Sequence, residues 1–360
     1  MNGSGHLQDR IGDSVLGACT SRIEKNYLHR FESYETDYFS SYADKSIFEI
    51  MGLGVQRFLT GLYVQQEYVC LPSLGIHTRI FLNMPSGKLW VTDSFVFVGY
   101  KPLLFAVNSL MIEKKMDRLD ELALFFECNE KIIATLRIKL VEEKMCGSTR
   151  ILFYEGVDGK HRFINVLQQK LNSTFLKLTK KGNSNIFLEG NLYEQVRIAY
   201  SVPRIIALIT VSDGEKMNLF PTDLHGAIGD DLYVSSLRIG GKAVQQVEQT
   251  KRIVLSEISI AFFRQAYALG KNHMNEMKSI DEFSIEHVRS EIFGMPIPTG
   301  TGCYFELQLI DSFDRGVHRI LLYKIVHCKK IKPIDILAHI HQYYAQWRLN
   351  QKLKDDFLIR

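Results

Sequence analysis

Arg238, Gly240, Gly241 and Lys242 are the residues of this 360-residue chain whose types and spacing best suit chemistry. A glycine pair ahead of an expected helix start, with a cation on either side, offers backbone N–H groups and positive charge to a phosphate. The plain alternative is a Gly-rich connector carrying two solvated cations. Around this turn, Asn218-Leu219-Phe220-Pro221-Thr222-Asp223 and Ser235-Ser236-Leu237 add amide, hydroxyl and carboxylate groups, so Ser201 to Gly241 reads as a cradle for a phosphate and a ring. Other polar pairs read as structure. Asp230-Asp231 precedes a strand and suits a turn better than an acid/base dyad. His339 and His341 point apart if they lie on a helix, which speaks against a metal pair, and His161 reads as a satisfied surface histidine. G-x-S-x-G, H-E-x-x-H, a Walker loop and a post-strand G-x-G-x-x-G are all absent, which excludes the hydrolase, metalloprotease and nucleotide-domain classes they mark.

The elements that must position these residues follow from periodicity. Ile205 to Val211 is a continuous β-branched run after Val202-Pro203, as expected of a strand buried on both faces. Ser212 to Glu215 supplies a turn, and Met217 to Phe220 is extended until Pro221, which has no N–H for a ladder. A loop at Thr222 to Gly226, a strand at Asp231 to Leu237 and a helix opening at Lys242 follow. Ile253 to Glu257 reads as a strand, and Ile260 to Leu269 as a helix closed by Gly270, with Lys271-Asn272-His273 either a polar lip or a dipole partner. Cys303 to Leu309 and Val317 to Val326 read as antiparallel strands joined by a loop from Asp311 to Gly316. Pro333 with Ile336, Ile340, Tyr343 and Trp347 predicts an amphipathic closing helix. In the first half the pattern predicts a helix over Lys45 to Leu59, strands at Arg79 to Asn83, Trp90 to Val98, Leu103 to Asn108 and Ile132 to Leu140, and a helix over Asp117 to Phe126. A strand with a Gly turn is expected from Ile151 to His161.

From roughly Tyr193 to His327 the chain resembles the flavin reductase-like FMN-binding split barrels, relatives of the pyridoxamine 5′-phosphate oxidase fold. The residues that carry the resemblance are Tyr200 to Val211 with Gly214, Asn218 to Thr222, Ser235 to Arg238 with Gly241-Lys242, Val254 to Glu257, and Asp314 to His318. It implies that Asn218, Leu219, Phe220, Pro221 and Thr222 lie along the isoalloxazine edge, with Asp223 also in the cofactor-binding set. Ser235, Ser236, Leu237, Arg238, Gly241 and Lys242 would hold the FMN phosphate, and His318 would sit near the ring as the catalytic candidate. Ala243 stands where many members have Thr or Ser, and Val317 where reductases have Asp. The implied fold is α+β and mainly β, a split β-barrel in residues 191–360 behind an α+β region in residues 1–190. The implied activity is NAD(P)H-dependent flavin reduction with FMN, or FAD, as cofactor. The alternative is a flavin store or sensor without turnover, and a third reading is a ligandless structural barrel. A homodimer is expected on the same basis.

The first half carries a weak echo of the second at an offset of 130 residues: Thr92-Asp93, Gly99 and Leu103 to Val107 match Thr222-Asp223, Gly229 and Leu232 to Val234 in order. Two readings stand: a second, degenerate split barrel lacking any Ser-x-x-Arg-x-Gly-Gly-Lys, or an unrelated α+β domain. At this length two domains are the prior expectation. A net charge of +4 with acids and bases interspersed demands no nucleic-acid partner. The six cysteines have neither C-x-x-C nor metal spacing, as expected of reduced thiols in a cytoplasm. Asp9, Arg10 and Asp13 fall where a signal peptide needs an apolar core, and no apolar run reaches membrane length.

Overall fold

In the computed structural model the described residues are 67–73, 78–85, 87–112, 120–179, 188, 190–353 and 358–359. All fall within one compact unit, Leu62–Arg360. The expected helix over Lys45 to Leu59, and the readings of Met1 to Arg22 and Cys19, lie outside the described residues.

After a short strand β1 (Tyr68–Pro72) come β2 (Arg79–Met84), β3 (Gly87–Trp90), β4 (Phe95–Tyr100), β5 (Leu103–Asn108), β6 (Glu121–Cys128), β7 (Lys131–Cys146) and β8 (Thr149–His161). Strands β2 to β8 form one antiparallel sheet in the order β3-β2-β6-β7-β8-β5-β4. Helices α1 (Val166–Thr179) and α2 (Leu192–Ala199) lead to β9 (Arg204–Ile205), β10 (Ala207–Ser212), β11 (Lys216–Thr222), β12 (His225–Ala227) and β13 (Leu232–Arg238). Helix α3 (Lys242–Thr250) precedes β14 (Arg252–Ile258). An irregular segment, residues 259–300, carries α4 (Phe263–Ala268), β15 (Lys278–Ser279), β16 (His287–Arg289) and β17 (Pro296–Pro298). The chain then forms the long hairpin β18 (Thr301–Arg315) and β19 (His318–Lys330), strand β20 (Leu337–His341), helix α5 (Gln342–Asn350) and β21 (Leu358–Ile359).

The second sheet runs β12-β13-β19-β18-β14-β10-β11-β15. Apart from β15 its order repeats the first sheet strand for strand: β4, β5, β8, β7, β6, β2 and β3 correspond to β12, β13, β19, β18, β14, β10 and β11. Thr92-Asp93 lies between β3 and β4, and Thr222-Asp223 at the end of β11 ahead of β12, so the two ends of the sequence echo occupy equivalent connections. The fold is α+β and mainly β.

The two sheets meet along a shared apolar seam, and period-two alternation explains why their seam strands are buried on both faces. Phe95 and Phe97 of β4 face a core beneath the first sheet, while Val96 and Val98 face the seam. In the second sheet Leu321 and Tyr323 face its own core, and Ile320 and Leu322 the seam. Leu104, Ala106 and Phe153 from one side and Ile228, Leu232 and Val234 from the other complete it. The closing strand β20 and helix α5 cover the first sheet's core with Ile340, Tyr343, Tyr344 and Trp347.

Several elements differ from the sequence expectations. Asp117 to Phe126 is not helical: Leu122, Leu124 and Phe126 are buried at alternate positions of β6, and Asn129-Glu130, both at positive φ, turn it into β7. Trp90 to Val98 is two strands, β3 and β4, separated by a turn. Pro221 does not end its strand but pairs with Leu208 inside β11, because β11 has no neighbour on its other side at that point and needs no donor there. Part of the expected loop at Thr222 to Gly226 is strand β12, paired with β13. Asp311 to Gly316 is mostly strand rather than loop, and the β18–β19 turn is only Gly316-Val317. Gly270 lies inside a 3₁₀ turn, Leu269–Met274, and does not close the preceding helix. The closing helix begins at Gln342, not near Pro333, because Leu337–His341 is drawn into pairing with β1.

Candidate functional site at the seam edge

Arg238 ends β13 directly opposite His318, which begins β19. Beyond Arg238 the chain turns through Ile239 and Gly240, both exposed, into Gly241, the N-cap of α3. That cap has no side-chain hydrogen bond and the first turn of α3 has no acidic residue, so nothing of the helix's own opposes an anion there. The Arg238 side chain is exposed and makes no ion pair among the described residues. Lys242 Nζ lies 2.6 Å from Glu276 Oε1.

His318 sits behind this edge, buried at the contact between the two sheets. Its Nε2 accepts the Tyr100 N–H at 3.3 Å, which puts the ring proton on Nδ1, 3.5 Å from Ser236 Oγ. The Tyr100 ring stands edge-on at 4.4 Å. Burial, and then the nearby Arg238 charge, push the His318 pKa down to about 4, so the imidazole is neutral at pH 7. The turn beside it is docked on the first sheet: the Val317 N–H donates to the Lys101 carbonyl at 3.0 Å, and the Ile239 N–H to the Val317 carbonyl at 3.0 Å.

The residues read as a cradle separate into three groups. Ser236, Arg238 and His318 come together at the seam edge, with Gly241 and Lys242 next to them. Ser235 is buried and donates to the Tyr323 hydroxyl at 3.3 Å, and Leu237 is buried in the second core. Asn218 is buried beneath α3, its Nδ2 donating to Gln246 Oε1 at 2.8 Å and to the Asn272 carbonyl at 2.8 Å, while its Oδ1 accepts the Leu219 N–H at 2.9 Å. Leu219 and Phe220 are core residues. Pro221 is half-buried, and Thr222 Oγ1 accepts the Leu224 N–H at 3.3 Å.

Asp223 belongs to a buried polar chain that sequence reasoning missed. Asp223 Oδ2 accepts from the Tyr200 hydroxyl at 2.8 Å and from His339 Nδ1 at 3.1 Å. His339 Nε2 meets the Tyr267 hydroxyl, which lies 2.8 Å from Cys70 Sγ. Burial works against the His339 charge, but the bond and charge of Asp223, with Cys70, outweigh it and raise its pKa to about 9. Burial would push the Asp223 carboxyl up, yet hydrogen bonds from His339 and Tyr200 and the imidazolium charge hold it below the ordinary carboxylate range. Next to this chain, burial pushes His225 down to about 4, where Nε2–H donates to the Ile205 carbonyl at 3.0 Å and Nδ1 accepts from Tyr233 at 2.7 Å. The available signal was β20 itself: a strand, unlike a helix, sets His339 and His341 two residues apart on one face. His161 is likewise not on the surface. It is buried, with Nε2 2.6 Å from a Glu194 carboxylate oxygen and its ring stacked on Phe163.

Among the described residues no group of three or more His, Cys, Asp or Glu side chains is arranged to hold a metal ion. No helix among them is long and apolar enough to cross a membrane.

No protein-family model matches this chain, and no curated protein does. Solved structures similar to it include BorF, the flavin reductase component of a bacterial two-component tryptophan halogenase, at 15% identity and a TM-score of 0.37, covering 41% of this chain and 92% of that one. The NADH:FAD oxidoreductase SgcE6 of Streptomyces globisporus is 13% identical with a TM-score of 0.37, covering 45% of this chain and 96% of that one. An FMN-binding protein from Thermus thermophilus with bound 1-cyclohex-2-enone is 18% identical with a TM-score of 0.33, covering 42% and 80%.

Proposed function

We propose that this chain is a flavin-binding oxidoreductase whose cofactor phosphate is held at the α3 end of the seam. The observation that carries this reading is Arg238, an exposed guanidinium without an ion-pair partner among the described residues, beside the uncapped N-terminus of α3. A phosphate monoester suits that donor set: a fork of guanidinium N–H groups, helix N–H groups and the Lys242 ammonium, for which Glu276 is the present counter-ion. The flavin so held is FMN, with FAD as the alternative, and when bound it would take hydride from NADH or NADPH and pass electrons on.

The chain's own residues orient and exclude. Ser236 and the neutral His318 offer a hydroxyl and an Nδ1–H behind the phosphate end, and Tyr100 and Lys101 fix that wall from the other sheet. Neutral at pH 7, His318 is not an imidazolium acid, so its part is placement and polarity rather than acid catalysis. That same observation favours a second reading, a flavin held without turnover. In the domain reading that fits both, the boundary falls between residues 190 and 191, and the Ser-x-x-Arg-x-Gly-Gly-Lys run lies in the second part.

Absorption spectra of the purified protein, taken after FMN is added and the mixture desalted, test the first step. A retained flavin band that is bleached anaerobically by NADH or NADPH supports the oxidoreductase. A retained but nicotinamide-inert flavin supports the store or sensor, and no retained or reducible flavin removes both.

A further inference from the structure

A cleft of about 940 Å³ opens at the C-terminal end of α3. None of the residues assigned to the flavin cradle lines it. Its walls are the β10–β11 turn, the junction of α3 with β14, and the segment 259–300. In the first sheet the two-residue turn Asn129-Glu130 stands in the place of that segment.

The charges on the cleft are unequal in kind. Lys216, Lys251, Arg252 and Arg289 are exposed, and none is in an ion pair among the described residues. Arg252 Nε and Arg289 Nη1 donate only to neutral oxygens, Gln308 Oε1 at 3.3 Å and the Gly294 carbonyl at 2.8 Å. Two carboxylates, Asp213 and Glu276, stand against these four cations. Asp213 accepts the Glu215 and Lys216 N–H groups at 3.0 and 2.8 Å, and Glu276 faces Lys242. The unopposed charge of the cleft is therefore cationic.

One wall carries an aromatic plate, the Phe293 ring. The Arg252 guanidinium lies 5.4 Å from the Phe293 ring centroid, with Met277 and Met295 beside it. The plate is anchored: buried Glu306 accepts the N–H groups of Ile292, at 3.0 Å, and Phe293, at 2.5 Å. The exposed Gln249 amide lies on the rim with no hydrogen bond among the described residues. A cleft of this volume is large enough for a small organic ligand, and its lining pairs anion-binding cations with a surface for a planar ring.

We propose that this cleft is a second ligand site, for a nucleoside diphosphate. The phosphates would meet Lys216, Lys251 and Arg289, and the base would lie against Phe293 and Arg252. Calorimetric titration of the full-length, FMN-saturated protein with ADP tests it. ADP should bind, with adenosine and pyrophosphate each at least about tenfold weaker, or about 1.4 kcal/mol. Lys216→Glu combined with Lys251→Asn should weaken ADP at least about tenfold. Asn tolerates the left-handed backbone at position 251, where φ is 58°, and both side chains are exposed, so the thermal melt should stay as in the parent. Arg289→Gln should weaken ADP as well, while Arg238→Ala should leave it unchanged and reduce FMN retention. Absence of ADP binding, equal affinity in the Lys216/Lys251 variant, equal affinity for pyrophosphate, or loss of ADP binding on Arg238→Ala overturns the proposal. The Arg238 arm also separates a failed second site from a failed flavin site.

Discussion

Arg238 and His318 are paired across β13 and β19 yet differ in what they can offer: one is exposed and always charged, the other buried and neutral at pH 7. Arg238→Glu should therefore weaken FMN retention at least about tenfold with little change in melting temperature, read by flavin fluorescence titration and calorimetry. The buried histidines set the pH range of stability in opposite senses. His318 and His225 have folded pKa values near 4, below the unfolded value of about 6.5, so their contribution is present above pH 6.5 and lost as pH falls toward 4. His339, raised to about 9, contributes fully below pH 6.5 and loses that contribution as pH rises through 9. Urea unfolding from pH 4 to 10 should give a stability maximum between these limits, and His339→Gln should flatten the alkaline side alone. The turn from Arg238 to Lys242 was legible because a glycine pair with flanking cations is a local signal. The Asp223–His339 pair was not, because its partners are 116 residues apart and only the pairing of β20 with β1 fixes His339 beside Asp223.

At the scale of elements, β13, α3 and β14 stood where local pattern put them, since each is a short run bounded by its own Gly or turn residues. The β18–β19 hairpin was read too short. Its polar end, Asp311 to Arg315, pairs because Phe313 packs on Phe153 of the other sheet, at 5.0 Å between ring centroids, and Arg315 reaches Glu155 at 2.5 Å. In the segment 259–300 the one element read, a helix over Ile260 to Leu269, is a 3₁₀ turn followed by the short helix Phe263–Ala268, and the rest is 3₁₀ turns and two- or three-residue strands. The hairpin turn makes its own demand. Gly316 has φ of 59°, and a Cβ there would collide with the Lys101 carbonyl oxygen. Gly316→Ala should cost roughly 2 kcal/mol or more, combining left-handed strain with a displaced seam contact, and should do so in denaturant unfolding whether or not flavin is present.

Across the whole molecule the seam makes the two sheets one cooperative body. Phe153, fully buried in β8, touches seam residues of the second sheet. Phe153→Ala should lower stability by about 3–5 kcal/mol and move a single calorimetric transition rather than split off one sheet. The repeated strand order bears on what the two halves are free to become. In a symmetric pair of identical subunits every substitution is made twice, so a change that helps one side of a contact is imposed on the other. Here the two sides of the seam are written separately: position 153 is Phe, while Ile320 and Leu322 face the seam from one strand, β19, of the other sheet. A substitution lands once. One side can carry a turn such as Arg238 to Lys242 while the other has Asn108 and a 3₁₀ turn at the equivalent strand end, so the two halves are free to differ in what they present to a ligand.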